Sequence, residues 1–264
     1  MRQWSHRACI AAVVASLLGG CATTGGAPQG AANPRDPWEA WNRKVFAFNE
    51  ALDENVLRPV ATAYRDVVPQ FVRTGVTNVF NNFADAWGAV NSLLQGKGEA
   101  AASDTIRFAF NSVFGIAGVL DLAGEARIDA SREDFGQTLG YWGFGPGPYV
   151  VWPVLGPSAV RESVALPLDL SASPTIAVRP LTVRWGVGVI NIVNTRANLL
   201  GATRVIEDIA LDKYSFIRDA YLARRRSLVY DGEPPELPPD EEPADTAPPE
   251  PASAPGEGAS APSR

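Results

Sequence analysis

Large apolar residues step along the first folded part of this chain in threes and fours, at Trp38, Trp41, Val45, Phe48, Leu52 and Val56. That spacing places them on one face of a helix. Asp36-Pro37-Trp38-Glu39 reads as its start, with Asp36 as N-cap, Pro37 at the first helical position and Glu39 completing a capping box. Pro59 is expected to limit it. After Pro69 the pattern repeats more cleanly at Val72, Val76, Val79, Phe83, Trp87, Val90 and Leu94, and Gly96 and Gly98 are expected to end it. A third helix is predicted over 100–114, where Ile106, Phe108, Ala109, Phe110 and Val113 are apolar on more than one side. Such a helix is either central to a core or faces lipid. Residues 181–200 and 206–230 predict two or three more helices, the last with Tyr214, Ile217, Tyr221 and Leu228 on one side and Arg224, Arg225 and Arg226 around the other. No strand alternation of useful length is present, so the predicted class is all-α.

The middle of the chain breaks this rhythm. No charge occurs from Phe135 to Val160, while Gly136, Gly140, Gly143, Gly145, Pro146, Gly147, Pro148, Pro153, Gly156 and Pro157 interrupt an otherwise aromatic and aliphatic run. These residues would break a membrane-spanning helix. Uncharged irregular backbone is tolerated at membrane depth only where protein or a water-filled cavity satisfies its polar groups. The segment reads as a re-entrant hairpin beside a cavity, or as a buried Ω-loop.

The two ends have different chemistry. Arg2 and Arg7 precede a short apolar run, 8–18, which is too short to span a bilayer and reads as a signal peptide. Leu18-Gly19-Gly20-Cys21 then resembles a lipobox, which makes Cys21 the expected lipidation site and 1–20 a lipoprotein signal. Residues 21–33 suit a flexible tether. At the far end, 233–264 is rich in Pro, Ala, Ser and acids and is expected to be disordered.

Composition changes the picture only once these ends are set aside. The 264 residues carry a net charge of −6, but the tail holds eight acids against one arginine, and the leader adds two arginines. The domain expected over 34–232 is therefore nearly neutral and offers no broad basic footprint for nucleic acid. Met1, His6 and Cys9 all fall in the expected signal, and lipidation would occupy Cys21. A Ser-His-Asp triad, a His metal site and a thiol nucleophile are then unavailable, and neither a cofactor nor a metal is expected. Gly156-Pro157-Ser158-Ala159-Val160 lacks the second glycine of a nucleophile elbow, and Gly96-Lys97-Gly98 is too short for a phosphate loop. The carboxylate pairs Asp53-Glu54, Glu133-Asp134 and Glu207-Asp208 read as caps or solvated groups rather than acid/base pairs. Arg107, Arg161, Arg196 and Arg224 to Arg226 are candidates for lipid phosphate, or for pairing with Glu162, Asp219 or Asp231.

The stretches DPWEAWNRKVFAFNEALDENVLRPVATAYRDVVPQFVRTGVTNVFNNF, VNSLLQGK, RFAFNSVFGIAGVLDLA, EDFGQTLGYWGFGPGPYVVWPVLGPSAVRE, VNTRANLL and RDAYLARRR resemble the MlaA/VacJ family of outer-membrane lipoproteins, in order and from about Asn33 to Gly232. The resemblance implies a ring-like bundle of amphipathic helices lying mostly in the membrane plane, on the inner leaflet facing the periplasm. It further implies a central channel that passes mislocalised phospholipid to a periplasmic lipid carrier, commonly beside a trimeric porin. By the same resemblance Gly143, Gly145, Gly147, Pro148 and Tyr149 belong to the hairpin gate and channel, and the protein is not an enzyme. Trp38, Trp41, Trp87, Trp142, Trp152 and Trp185 would suit a headgroup boundary with their N–H groups at water. Trp41 stands where the family has Phe, and Ala86 where relatives commonly have Pro, which predicts a straighter second helix. A lipid-modifying hydrolase and a structural outer-membrane tether are the alternative functions.

Overall fold

The computed structural model describes residues 33–177 and 180–236, apart from the side chains of 176, 177 and 204–209. The expected signal, Cys21, nearly all of the tether and the tail beyond 236 lie outside the described residues. The chain divides into two units, Met1–Pro37 and Trp38–Arg264. In the first, Asn33 organises a turn: its carbonyl accepts from Asp36 N at 2.9 Å and its side chain from Arg35 N at 3.0 Å.

The second unit begins with α1 (Glu39–Leu52), whose cap position is held by Trp38. The helix thus starts two residues after the predicted Pro37, and Asp36 is not its N-cap. Pro59 does not stop it either. A single π turn, Asp53–Leu57, leads directly into α2 (Arg58–Val67), which carries Pro59 in its first turn. The wider turn takes the Arg58 N–H to Asp53 O, five residues back, and removes the need for the N–H that proline lacks.

Pro69 opens α3 (Gln70–Leu94). Its end is a Schellman turn: Lys97 N donates to Ser92 O at 2.9 Å and Gly96 N to Leu93 O at 3.0 Å, with Gly96 at φ +75°. There follow α4 (Gly98–Val113), a single turn α5 (Leu122–Glu125), α6 (Phe135–Tyr141), strands β1 (Tyr149–Trp152) and β2 (Gly156–Ala159), and α7 (Val160–Ser171). A 3-10 turn, Pro174–Ala177, precedes α8 (Leu181–Ile209) and α9 (Lys213–Val229). The fold is all-α apart from one antiparallel strand pair, which the alternation rule missed because each strand is only four residues long. Helix α7 has no counterpart in the periodicity, and 181–209 is one helix where the pattern predicts a break near 200–206.

The apolar stripe of α3 does not form the core. On α3 the buried positions are Arg73, Gly75, Asn82, Asp85, Gly88, Ala89, Asn91 and Ser92, whereas Val72, Val90 and Leu94 of the predicted stripe are exposed. Helix α4 buries Ala101, Asp104, Arg107 and Asn111 against it, and this is the most extensive helix pair in the described residues. The two helices meet through small and polar side chains, and a Cβ on Gly88 would stand 2.7 Å from Asp104 Oδ2. Apolar faces outward with a polar seam within is how helices pack when their surroundings are not water. Among the described residues, no helix is long and apolar enough to cross a membrane.

Candidate functional site

The predicted hairpin is built around β1. Its register pairs Tyr149 with Ala159 and Trp152 with Gly156, which leaves Pro153, Val154 and Leu155 as the tip. The other edge of β1 meets two asparagines of α1, seven residues apart and so on one helical face. Asn42 Nδ2 donates to Tyr149 O at 3.0 Å and its Oδ1 accepts from Val151 N at 2.9 Å. Asn49 Nδ2 donates to Trp152 O at 3.0 Å and its Oδ1 accepts from Val154 N at 2.8 Å. Two side-chain amides therefore stand in for a third strand and satisfy an edge that would otherwise be open. Asn49 also holds the tip in a tight γ-turn, with Leu155 N on Pro153 O at 2.8 Å and Val154 at φ +67°. A β-branched residue rarely adopts that conformation without such support.

Beneath the hairpin lies a small apolar core of Val45, Tyr149, Val151 and Tyr214, with Phe46, Tyr221 and Leu222 packed against it. Tyr149 meets Tyr214 and Tyr221 edge-on, at ring separations of 6.3 and 6.0 Å. Burial raises the Tyr221 hydroxyl to about 12, so it stays protonated. Tyr149, expected with the gate and channel, is fully buried and belongs to the root of the hairpin.

Besides the tip at 152–155, the loop 142–147 is exposed. Gly143, at φ +93°, ends α6 in a second Schellman turn, with Phe144 N on Leu139 O at 3.0 Å and Gly143 N on Gly140 O at 2.9 Å. It is a helix stop, which gives it a structural reason to be glycine. Gly147 has φ +66° and a Cβ there would meet Val160 Cβ at 3.0 Å. Gly145 has neither constraint. Three carbonyls of this loop are held by the start of α7. Arg161 Nη1 donates to Phe144 O at 3.1 Å, Arg161 N to Pro146 O at 3.1 Å, and Val160 N to Pro148 O at 3.1 Å. Loop carbonyls thus satisfy N–H groups that a helix start leaves without partners.

Arg161 is in turn fixed by Glu162, at 3.0 Å from its Nε, and Glu162 also accepts from Arg225 Nε at 3.3 Å. Arg225 forks onto Asp134 at 2.6 and 2.9 Å. Burial opposes ionisation of Asp134, but the Arg225 fork and the Gln137 N–H outweigh it and hold the carboxyl below its ordinary range. Gly136 and Gly140 leave room for these two arginines, since a Cβ on either would lie 2.8 Å from a guanidinium nitrogen. The ion-pair chain therefore runs from α9 through α7 to the loop.

Most other candidate arginines are also engaged. Arg196 clasps Asp53 of the π turn at 2.6 and 2.8 Å, and Arg226 reaches Pro235 O. Arg107 is buried between Asp85, at 2.9 Å from Nε, and Asp121, at 3.1 Å from Nη2. One guanidinium serving two acids leaves Asp85 Oδ1 without a partner, and burial pushes the Asp85 carboxyl up to about 6. Arg224 is exposed. Glu133, expected as a helix-end group, is buried with Gln95 and Lys97. It borders an open cleft of about 930 Å³ that Lys97, Arg127, Asp129 and Asp231 also line. The carboxylates of Glu207 and Asp208 lie outside the described residues. No group of three His, Cys, Asp or Glu among the described residues is placed to hold a metal ion.

The tryptophans depart from the expected pattern in one respect. Trp38, Trp41, Trp142, Trp152 and Trp185 are exposed, but several indole N–H groups are spent internally. Trp87 donates to Asp169 at 2.8 Å, Trp142 to Leu94 O at 3.1 Å and Trp152 to Ser163 Oγ at 2.8 Å. With the polar edge satisfied, what these rings present outward is apolar.

Comparison with known proteins fits this architecture. The model of the MlaA lipoprotein family matches residues 34–228. Over 222 residues the chain is 34% identical to the intermembrane phospholipid transport system lipoprotein MlaA of Escherichia coli and to that of Shigella flexneri, covering 83% of this chain and 86% of each relative. An uncharacterized protein of Rickettsia bellii is 32% identical over 197 residues, covering 74% of this chain and 77% of the relative. A solved structure, described as the structural basis for maintenance of bacterial outer membrane lipid asymmetry, superposes with a TM-score of 0.65 at 34% identity and covers 74% of this chain and 98% of its own. A family match over most of the chain, 34% identity to relatives covered to 86% and a superposable fold agree, and this protein belongs to the MlaA lipoprotein family.

Proposed function

We propose that this protein is an outer-membrane lipoprotein that maintains lipid asymmetry by passing mislocalised phospholipid out of the outer leaflet toward a periplasmic lipid carrier. The supporting observation is the inversion of the fold, in which polar seams such as Asp85, Asp104 and Arg107 are buried while Val67, Phe71, Val113, Phe114 and Trp185 are exposed. In water that arrangement wastes apolar area; in hydrocarbon it is the stable one. The helices would then lie in the membrane plane as a ring, held to the inner leaflet by lipid on Cys21 and set beside a trimeric porin.

In this reading the loop 142–148, with Gly143, Gly145, Gly147 and Pro148, is the gate over a lipid channel, and Tyr149 roots it. The clamped strands beneath stay fixed while the loop moves. Opening breaks the three bonds to Val160 and Arg161, each worth about 0.5–1.5 kcal/mol net. A total of a few kcal/mol lies within what a bound lipid can supply by differential affinity. The chain offers passage; direction comes from a gradient or from the carrier.

Reconstitution of the full chain in vesicles that hold labelled phospholipid tests this. Transfer of intact lipid to an added periplasmic carrier is the expected result. Release of fatty acid or lysophospholipid would indicate a hydrolase, and no transfer would refute the reading.

A further inference from the structure

Four arginines are buried in the described residues: Arg73, Arg107, Arg161 and Arg218. Three of them pair with acids, Arg107 with Asp85, Arg161 with Glu162 and Arg218 with Asp219. Arg73 is 9% exposed, and among the described residues no carboxylate stands within 4.0 Å of it. Its Nε donates to Val68 O at 3.2 Å and its Nη2 to Gln70 Oε1, both neutral acceptors. A guanidinium carries five N–H donors and a full charge, so two neutral bonds leave donors and charge to spare. A buried charge without a counter-charge is costly, and proteins keep one chiefly where an anion arrives from outside.

The surroundings say which kind of anion. Val68 and Gln70 flank Pro69 at the start of α3, a 25-residue helix whose first turn has no side-chain cap. Its leading N–H groups and the helix dipole favour negative charge beside the guanidinium. One turn on, Thr77 bonds Asn194 of α8 at 2.8 Å, and Tyr64 of α2 reaches the same asparagine at 3.1 Å. The site therefore sits on a seam of three helices. Around it Val67 and Phe71 are 80% and 77% exposed, and Val72 is also exposed. A cation beside a helix start, set into strongly apolar surface, matches an amphiphile whose phosphate is joined to acyl chains.

We infer that Arg73 and the start of α3 form a binding site for the phosphodiester of a phospholipid headgroup, with Val67, Phe71 and Val72 against its acyl chains. This rests on the lipid-transport reading and adds the residue that contacts the phosphate. The competing role, Arg73 as a cap on the last carbonyl of α2, would need the Val68 bond alone.

The test uses the full chain in detergent with three probes: dioctanoyl phosphatidylglycerol, dioctanoylglycerol, which lacks phosphate, and inorganic phosphate. Arg73→Gln should weaken phosphatidylglycerol binding about tenfold to a hundredfold and leave dioctanoylglycerol unchanged. Arg73→Lys, which keeps the charge and loses the fork, should fall between, and Lys44→Gln, at an exposed position on α1, should match the wild type. Equal phosphatidylglycerol binding by wild type and Arg73→Gln overturns the inference. So does parallel loss of both lipids, which would mean packing, or displacement of lipid by millimolar inorganic phosphate, which would mean a free-phosphate site. If Arg73→Gln does not fold, as judged by its thermal midpoint, Arg73→Lys carries the comparison. Wild-type protein that transfers no lipid at all would instead refute the functional reading.

Discussion

Replacing Asn42 with alanine separates the hairpin from α1 at its most buried point. Asn42 is fully buried and makes two bonds to the edge of β1, to Tyr149 O and Val151 N. Truncation leaves a buried carbonyl and a buried N–H without those partners, each costing about 1–3 kcal/mol, so a loss of about 2–6 kcal/mol is expected. Asn49→Ala removes two bonds of similar length nearer the surface, where water replaces them, and should cost only about 1 kcal/mol. Amide hydrogen exchange of the protein in micelles reads the two sites separately. Asn42→Ala should accelerate exchange at Val151, and Asn49→Ala at Val154, with the first variant losing more thermal stability. If Val151 remains as protected in Asn42→Ala as in the wild type, the amides are not serving as a third strand.

Other outcomes follow from the same contacts. Gly147→Ala, at φ +66° with Val160 3.0 Å from its added Cβ, should destabilise by about 1–2 kcal/mol, while Gly145→Ala stays within about 0.5 kcal/mol; thermal midpoints in detergent compare them. Arg225→Gln leaves Asp134 without its guanidinium fork, while Glu162 keeps Arg161, and should cost about 3 kcal/mol, seen by denaturant melts. Asp85 is raised to about 6, so the folded chain binds its proton more tightly than the unfolded chain. Its ionisation removes stability as pH rises from about 4 to 6, up to roughly 3 kcal/mol. The wild type should therefore be more stable at pH 5 than at pH 7, with Glu133 and Asp169, also raised, acting in the same direction. Asp85→Asn should flatten that slope; an unchanged slope would show that Asp85 is ionised throughout.

The helices were legible in the sequence because a period of 3.6 is a local signal. Val72 to Leu94 and its glycine stop needed no knowledge of the rest of the chain. Which face turns inward was not local. The same stripe serves a core in water and a surface in lipid, and only the burial of Asn82, Asp85 and Asn91 decides between them. The π turn at 53–57 also escaped, since Pro59 reads as a stop unless the turn before it widens. At the hairpin, the glycines and prolines marked a loop, but its anchors were invisible. Asn42 and Asn49 meet β1 more than a hundred residues away, and while the pairing of Arg161 with Glu162 is among the sequence's own alternatives, its bond to Phe144 O depends on how the loop folds back.

The central claim is that this fold moves phospholipid and that loop 142–148 gates it. Its most direct measurement is phospholipid in the outer leaflet of the native bacterium, read by a headgroup label that does not enter cells. The gene would be deleted and then restored with the wild type, or with paired cysteines replacing Gly147 and Val160, since a Cβ on Gly147 would stand 3.0 Å from that of Val160. Deletion should raise outer-leaflet phospholipid, the wild type should lower it, and a loop tied shut should fail until reductant is added. Normal outer-leaflet phospholipid in the deletion, or full rescue by the tied loop, would contradict the account.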